Sequence, residues 1–100
     1  MKEFAEIYVN ENEKIFTYAV PETEQAAAEV GCAAEITLQG KKRTGYILRF
    51  VEKPSFKTLP LVKINSNPQF TESLVKLVFW IADYYKCFPE TAVKLILPKG

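Results

Sequence analysis

A chain of 100 residues with 48% hydrophobic and 25% charged side chains fits one domain with one core and excludes a disordered polymer. It contains no histidine, which removes the usual general base, the commonest metal ligand and any Ser-His or Cys-His nucleophile pair. The net charge of +1 hides a segregation: residues 1–39 carry Lys2 and Lys14 against eight glutamates, whereas residues 40–63 carry seven basic groups against Glu52 alone.

Residues 3–9 are rich in β-formers and predict a first strand, followed by turn chemistry in Asn10-Glu11-Asn12-Glu13. Residues 14–20 alternate, with Phe16, Tyr18 and Val20 on one side, and Pro21 ends that strand. Residues 22–30, with Ala26-Ala27-Ala28, predict a helical turn that Gly31 stops. A hairpin is expected next, its arms at 33–39 and 44–52 flanking a Gly40-Lys41-Lys42-Arg43 turn. In the second arm Tyr46, Leu48 and Phe50 alternate with Ile47, Arg49 and Val51.

Residues 54–60 read as a loop, 61–65 as a short return strand, and Asn65-Ser66-Asn67-Pro68 as another turn. Thr71 is a good N-cap for a helix over about 71–86, with Leu74, Leu77, Val78, Ile81 and Tyr85 along one face. Pro89 opens a last short helix carrying Val93, Ile96 and Leu97, stopped by Pro98. The sum is a mostly β, α+β architecture. It is a small curved sheet or partly open OB-like barrel of four to five short strands, closed by a helix, within a single domain over residues 1–100.

No apolar stretch reaches the length of a membrane span and the first residues lack a signal-peptide pattern, so no membrane association is expected; a cytoplasmic location and a monomer are expected beside it. Cys32 and Cys87 match no zinc spacing and read as reduced, buried thiols. The acids are scattered singly or as Glu-x-Glu, which argues against a catalytic constellation. The basic block over 40–63 suits a phosphate-binding face. The plain alternative is a solvated hairpin whose lysines guard an edge strand.

The densest feature is the run Phe79, Trp80, Ile81, Ala82, Asp83, Tyr84, Tyr85, which holds four of the thirteen aromatics. Helical spacing spreads these rings over an arc too wide for one stacking platform, so most are expected to fasten the helix to the sheet. Asp83 is then expected to anchor a neighbouring backbone or basic group.

Several motifs occur in order: Phe16-Thr17-Tyr18 with Val20-Pro21-Glu22, Gly31-Cys32, Gly40-Lys41-Lys42, Thr44-Gly45, Asn67-Pro68-x-Phe70-Thr71, Trp80-Ile81-Ala82-Asp83-Tyr84-Tyr85-x-Cys87 and Leu97-Pro98. This set resembles the N-terminal domain of the PriA-type replication-restart helicases (primosomal protein N-prime) over nearly the whole chain. The resemblance implies a domain, excised from a larger helicase, that recognises the free 3′ end of the nascent leading strand at an abandoned fork. ATP with Mg2+, and Zn2+, then belong to downstream parts of the parent, and no cofactor is expected here. The implied partners are DNA, the helicase's other domains and primosome proteins.

The resemblance also implies a pocket for the terminal nucleotide. The aromatic-x-aromatic strand maps onto Phe16, Thr17 and Tyr18, the hairpin glycine onto Gly40, and the pocket lysine onto Lys57, with Lys63 as the fallback. Lys41, Lys42, Arg43 and Lys63 would meet the DNA backbone. Thr17 stands where many relatives have Asp; its hydroxyl can donate and accept but carries no charge. Stacking on an aromatic tolerates any base, and a small pocket excludes an internal nucleotide because the onward phosphate has no outlet.

Each residue has a structural alternative: Phe16 and Tyr18 as core, Gly40 as a turn residue, Lys57 as a solvated side chain. Two other functions fit the same residues. One is a generic single-strand-binding barrel using the Lys41-Lys42-Arg43 hairpin alone. The other is a protein-docking module contacting other helicase domains or primosome partners, without its own DNA-end specificity.

Overall fold

The computed structural model describes residues 2–96. Its elements run β1 (Phe4–Val9), β2 (Lys14–Ala19), α1 (Glu22–Gln25), β3 (Cys32–Leu38), β4 (Lys41–Val51), β5 (Lys63–Pro68), α2 (Glu72–Tyr84) and α3 (Pro89–Ile96). The strands form one antiparallel sheet in the order β2-β1-β4-β3-β5. The expected residues Leu97 and Pro98 lie outside the described residues.

The chain leading into β5 curls this sheet. Ala19 N–H donates to the Leu59 carbonyl (3.0 Å), Leu61 N–H donates to the Ala19 carbonyl (2.9 Å), and Val62 N–H donates to the Glu35 carbonyl (2.8 Å). One short stretch thus bonds first to the end of β2 and then to β3, drawing the two sides of the sheet toward each other. The result is an α+β, OB-like, partly open barrel.

Strand alternation sorts the side chains. Ala5, Ile7, Val9, Tyr18, Ile36, Ile47, Leu61 and Ile64 fill the barrel interior. Tyr8, Tyr46, Leu48 and Phe70 face the other way and pack against Val75, Val78 and Ala82 of α2 and Ala92 and Val93 of α3. The sheet therefore separates two apolar layers, where composition suggests a single core.

Four local expectations are corrected. The register shifts between Glu6 and Ile7, with Ile7 opposite Ile47 and Glu6 opposite Arg49. Leu48 is the extra residue of a β-bulge, so alternation flips there and Phe50 packs with the interior while Tyr46 and Leu48 face the helices. The hairpin turn is Gln39-Gly40, with φ of 53° and 77°, a pair of left-handed residues that suits the twist of a two-residue hairpin. Lys41, Lys42 and Arg43 consequently begin β4 rather than form the turn. Asn65, Ser66, Asn67 and Pro68 belong to β5, an edge strand where proline costs no ladder bond.

The fourth correction concerns α2. Thr71 Oγ1 accepts from Leu74 N–H at 3.1 Å, as an N-cap should. The buried stripe, however, is Val75, Val78 and Ala82, while Trp80, Tyr84 and Tyr85 are 58, 63 and 67% exposed. Val75, Val78 and Ala82 form the face that packs with Tyr46, Leu48 and Phe70, and the rings of Trp80, Tyr84 and Tyr85 lie off that face. Trp80 and Tyr84 stack on each other, centroids 5.1 Å apart and 11° from parallel. Among the described residues the basic group that Asp83 meets is Lys86, one turn on, at 4.0 Å.

Candidate nucleic-acid interface

β2 is the edge strand of the sheet and pairs with β1, with its outer side bridged only at Ala19, its last residue, among the described residues. Val20 N–H bonds toward the β1 side, to the Glu3 carbonyl, whereas Ala19 bonds outward to residues 59 and 61. By the alternation of an antiparallel ladder, the Thr17 N–H and C=O share the outward direction of Ala19. Thr17 therefore presents one donor and one acceptor at an open strand edge.

On either side of Thr17 the aromatic side chains turn into the barrel mouth. Phe16 is half-buried against the interior core, and Tyr18 is buried. The Tyr18 hydroxyl donates to the Thr37 carbonyl at 3.1 Å, and burial pushes its phenol up from the ordinary value, which keeps it a neutral donor. Thr37 precedes Leu38, the last residue of β3.

Phe16, Thr17 and Tyr18, with Leu38 and the loop residues Phe56, Lys57 and Leu59, bound a pocket of about 340 Å³. This sits at the lower end of the range usual for small-ligand sites, about 300–1,000 Å³. The fold thus brings together Phe16, Thr17, Tyr18 and Lys57 from the sequence reading. Gly40 is not on the pocket wall; it is the turn tip two residues beyond Leu38, and its φ of 77° is the reason for a glycine there. A side chain at Gly40 would meet nothing within 4 Å, so the approach to its backbone is open.

The basic residues divide. Directly opposed strand residues share a face. Lys41 lies opposite Leu38 and so on the pocket side, while Lys42 lies opposite Thr37 on the other face. Arg43 is held by Glu11 at 3.1 Å. Arg49 is held by Glu6 at 2.6 Å and covers the Phe79 ring, 4.7 Å from its centroid. Among the described residues the ion pairs of the basic block involve these two arginines and none of its lysines. Lys63 is away from the pocket, in a separate groove of about 520 Å³ with Glu35, Thr44 and Asn65.

Sequence reasoning missed Leu38, Phe56 and Leu59. Leu38 carried a signal, since it follows Ile36 at the inward spacing of β3. Phe56 and Leu59 lie in an irregular loop, where no periodicity marks which way a side chain faces.

Other chemistry finds little footing. Among the described residues no group of His, Cys, Asp and Glu could hold a metal ion. Both cysteines are free; Cys32 is buried and Cys87 partly so, and burial pushes the Cys32 thiol up, away from a nucleophilic thiolate. No helix among the described residues is long and apolar enough to cross a membrane.

A partly open barrel with an aromatic pocket at its edge strand, Lys57 on its wall and Lys41 on the same side of the hairpin has the features of a small DNA-binding module. The sequence matches the family of the PriA 3′DNA-binding domain (3'BD) over residues 7–98, and the chain belongs to that family. It is 30% identical over 104 residues to replication restart protein PriA of Chlamydia trachomatis serovar D, and 33% identical over 98 residues to that of Chlamydia pneumoniae. Each match covers 95% of this chain but only 14% and 13% of the relative. The family is a DNA-binding domain, a binding module rather than a catalytic one, and the chain spans about one seventh of the length of these relatives.

Proposed function

We propose that this chain is one domain of a longer PriA-type helicase and captures the free 3′ end of the nascent leading strand at stalled forks. The observation that carries the reading is the pocket that unites Phe16, Thr17, Tyr18 and Lys57 at the barrel mouth. The terminal base stacks on Phe16, a contact worth about 1–3 kcal/mol that tolerates any base. The outward N–H and C=O of Thr17 offer hydrogen bonds to a base edge, and the Thr17 hydroxyl, which can donate or accept, replaces the carboxylate common among relatives.

Lys57 meets the flanking phosphate. Lys41, on the pocket side of the hairpin, meets the next one, with Gly40 leaving its backbone open to the sugar. Lys42, Arg43 and Lys63 line the wider path of the strand. Arg43 has to share its charge with Glu11, so Lys41 and Lys42 carry more of the salt dependence. An internal nucleotide is excluded because its onward phosphate has no room in so small a pocket. ATP with Mg2+, and Zn2+, are assigned to other parts of the parent protein. Those domains and primosome proteins are its further partners in the bacterial cytoplasm, with the domain itself a monomer.

The test compares variants on a single-stranded oligonucleotide at two salt concentrations. Phe16→Ala is expected to weaken binding at both. Neutralising Lys41, Lys42 and Arg43 together is expected to reduce the salt slope while preference for a 3′ end survives. Loss of all binding in the triple variant with no effect of Phe16→Ala would leave a generic strand-binding barrel. Absence of any salt-dependent DNA affinity would leave a protein-docking module.

A further inference from the structure

We propose that Phe56, with Leu59 beside it, forms a second wall of the nucleotide pocket and stacks on the terminal base from the side opposite the β2 edge. This rests on the pocket reading above and adds to it a residue from outside the aromatic strand. Phe56 and Leu59 are 60 and 57% exposed, yet both are on the lining of the pocket that holds Phe16 and Lys57.

The loop that bears them is not free to swing away. Pro54 and Pro60 flank it, and its end is pinned where Ala19 bonds to Leu59 and Leu61. Phe56 sits three residues from that anchor. The phenylalanines Phe50 and Phe79 carry Lys2 and Arg49 over their faces, and Phe70 packs edge-on against Tyr46. Among the described residues neither Phe16 nor Phe56 is in an aromatic pair or under a cation. Two unclaimed rings on one pocket of about 340 Å³ suit a flat, apolar-faced guest. A nucleobase is such a guest, and stacking would remove from water the Phe56 surface that folding leaves wet.

A stacking wall contributes without charge. Phe56→Ala should therefore weaken binding by the same factor at every salt concentration, roughly 5- to 150-fold for one lost base–aromatic stack. Lys57→Gln should instead flatten the salt dependence.

The experiment titrates the 100-residue protein with an oligonucleotide carrying 2-aminopurine at its 3′ terminus, and with one carrying it internally. Anisotropy reads affinity and the fluorophore reads stacking. The wild type is expected to quench the terminal probe and not the internal one. Phe56→Ala is expected to lose affinity and part of the quench with an unchanged melting temperature, and Phe56→Tyr to recover both. If Phe56→Ala keeps wild-type affinity and quench while Phe16→Ala loses them, the second wall is wrong and the pocket stands. If the wild type never quenches the terminal probe and neither variant matters, the pocket itself is wrong and the wall falls with it.

Discussion

The Tyr18 hydroxyl donates to the Thr37 carbonyl at 3.1 Å, and this bond joins the edge strand β2 to the end of β3 across the barrel mouth. The two residues belong to strands at positions one and four of the sheet, so the bond spans the open side of the barrel. It fixes the distance between Phe16 and Leu38, and with it the width of the pocket.

Tyr18→Phe keeps the ring in the core and removes that bond, leaving the Thr37 carbonyl without this partner. A loss of about 1 kcal/mol in unfolding free energy is expected, read by urea titration. An unchanged midpoint would mean that the bond contributes nothing to closure.

Alkaline pH attacks the same tether. Burial is the first cause that raises the Tyr18 phenol above the ordinary 10.0. Tyr8 is raised by burial and then by the nearby Glu13 and Glu90. Both groups hold their protons more tightly folded than unfolded, so their contribution is fully present below 10.0 and is lost as pH climbs through the folded values. The buried Cys32 thiol, raised from 9.0, adds a loss that begins earlier, so unfolding monitored by far-UV circular dichroism should show stability holding to about pH 9 and falling above it. A decline already under way at neutral pH would point to other groups.

The C-terminus of α2 makes a Schellman turn, with Cys87 N–H on the Ala82 carbonyl (3.0 Å) and Lys86 N–H on that of Asp83 (3.3 Å). The left-handed position is occupied by Lys86, φ 55°, where glycine carries no steric penalty. Lys86→Gly should raise stability by about 1 kcal/mol. The exposed Asp83–Lys86 pair, at 4.0 Å, adds too little to offset that gain. A lower melting temperature would contradict the assignment of strain.

The exposed stack of Trp80 and Tyr84 makes a spectroscopic prediction. Trp80 is the single tryptophan of the chain, so its fluorescence should be red-shifted and readily quenched by acrylamide in the folded protein. Trp80→Ala should change stability by no more than about 0.5 kcal/mol. A blue-shifted, protected tryptophan would place this ring in the core.

The strands β1 and β2, the capped helix α2 and the helix opened by Pro89 were legible because alternation and capping are local signals. The bulge at Leu48 was not, since an inserted residue preserves the look of alternation while reversing the faces beyond it. The helix stripe is legible in part: Val78 is buried and Leu74 and Ile81 pack beside it, whereas the buried Ala82 replaces the exposed Leu77 and Tyr85, because hydrophobicity alone does not tell which edge of a wide apolar arc meets the core. Of the site, Phe16, Thr17 and Tyr18 were reached through family resemblance, and no rule of spacing distinguishes them from core residues. The resemblance favours Lys57 with Lys63 as the fallback, and the path of the loop puts Lys57 on the pocket wall and Lys63 in a separate groove.

The central claim is that the pocket at β2 reads a strand end. The direct measurement is the dissociation constant of the protein for one single-stranded oligonucleotide bearing either a 3′-hydroxyl or a 3′-phosphate, at matched salt. The account predicts that the 3′-hydroxyl strand binds more tightly, by roughly tenfold or about 1.4 kcal/mol. Equal affinity for the two strands would contradict it.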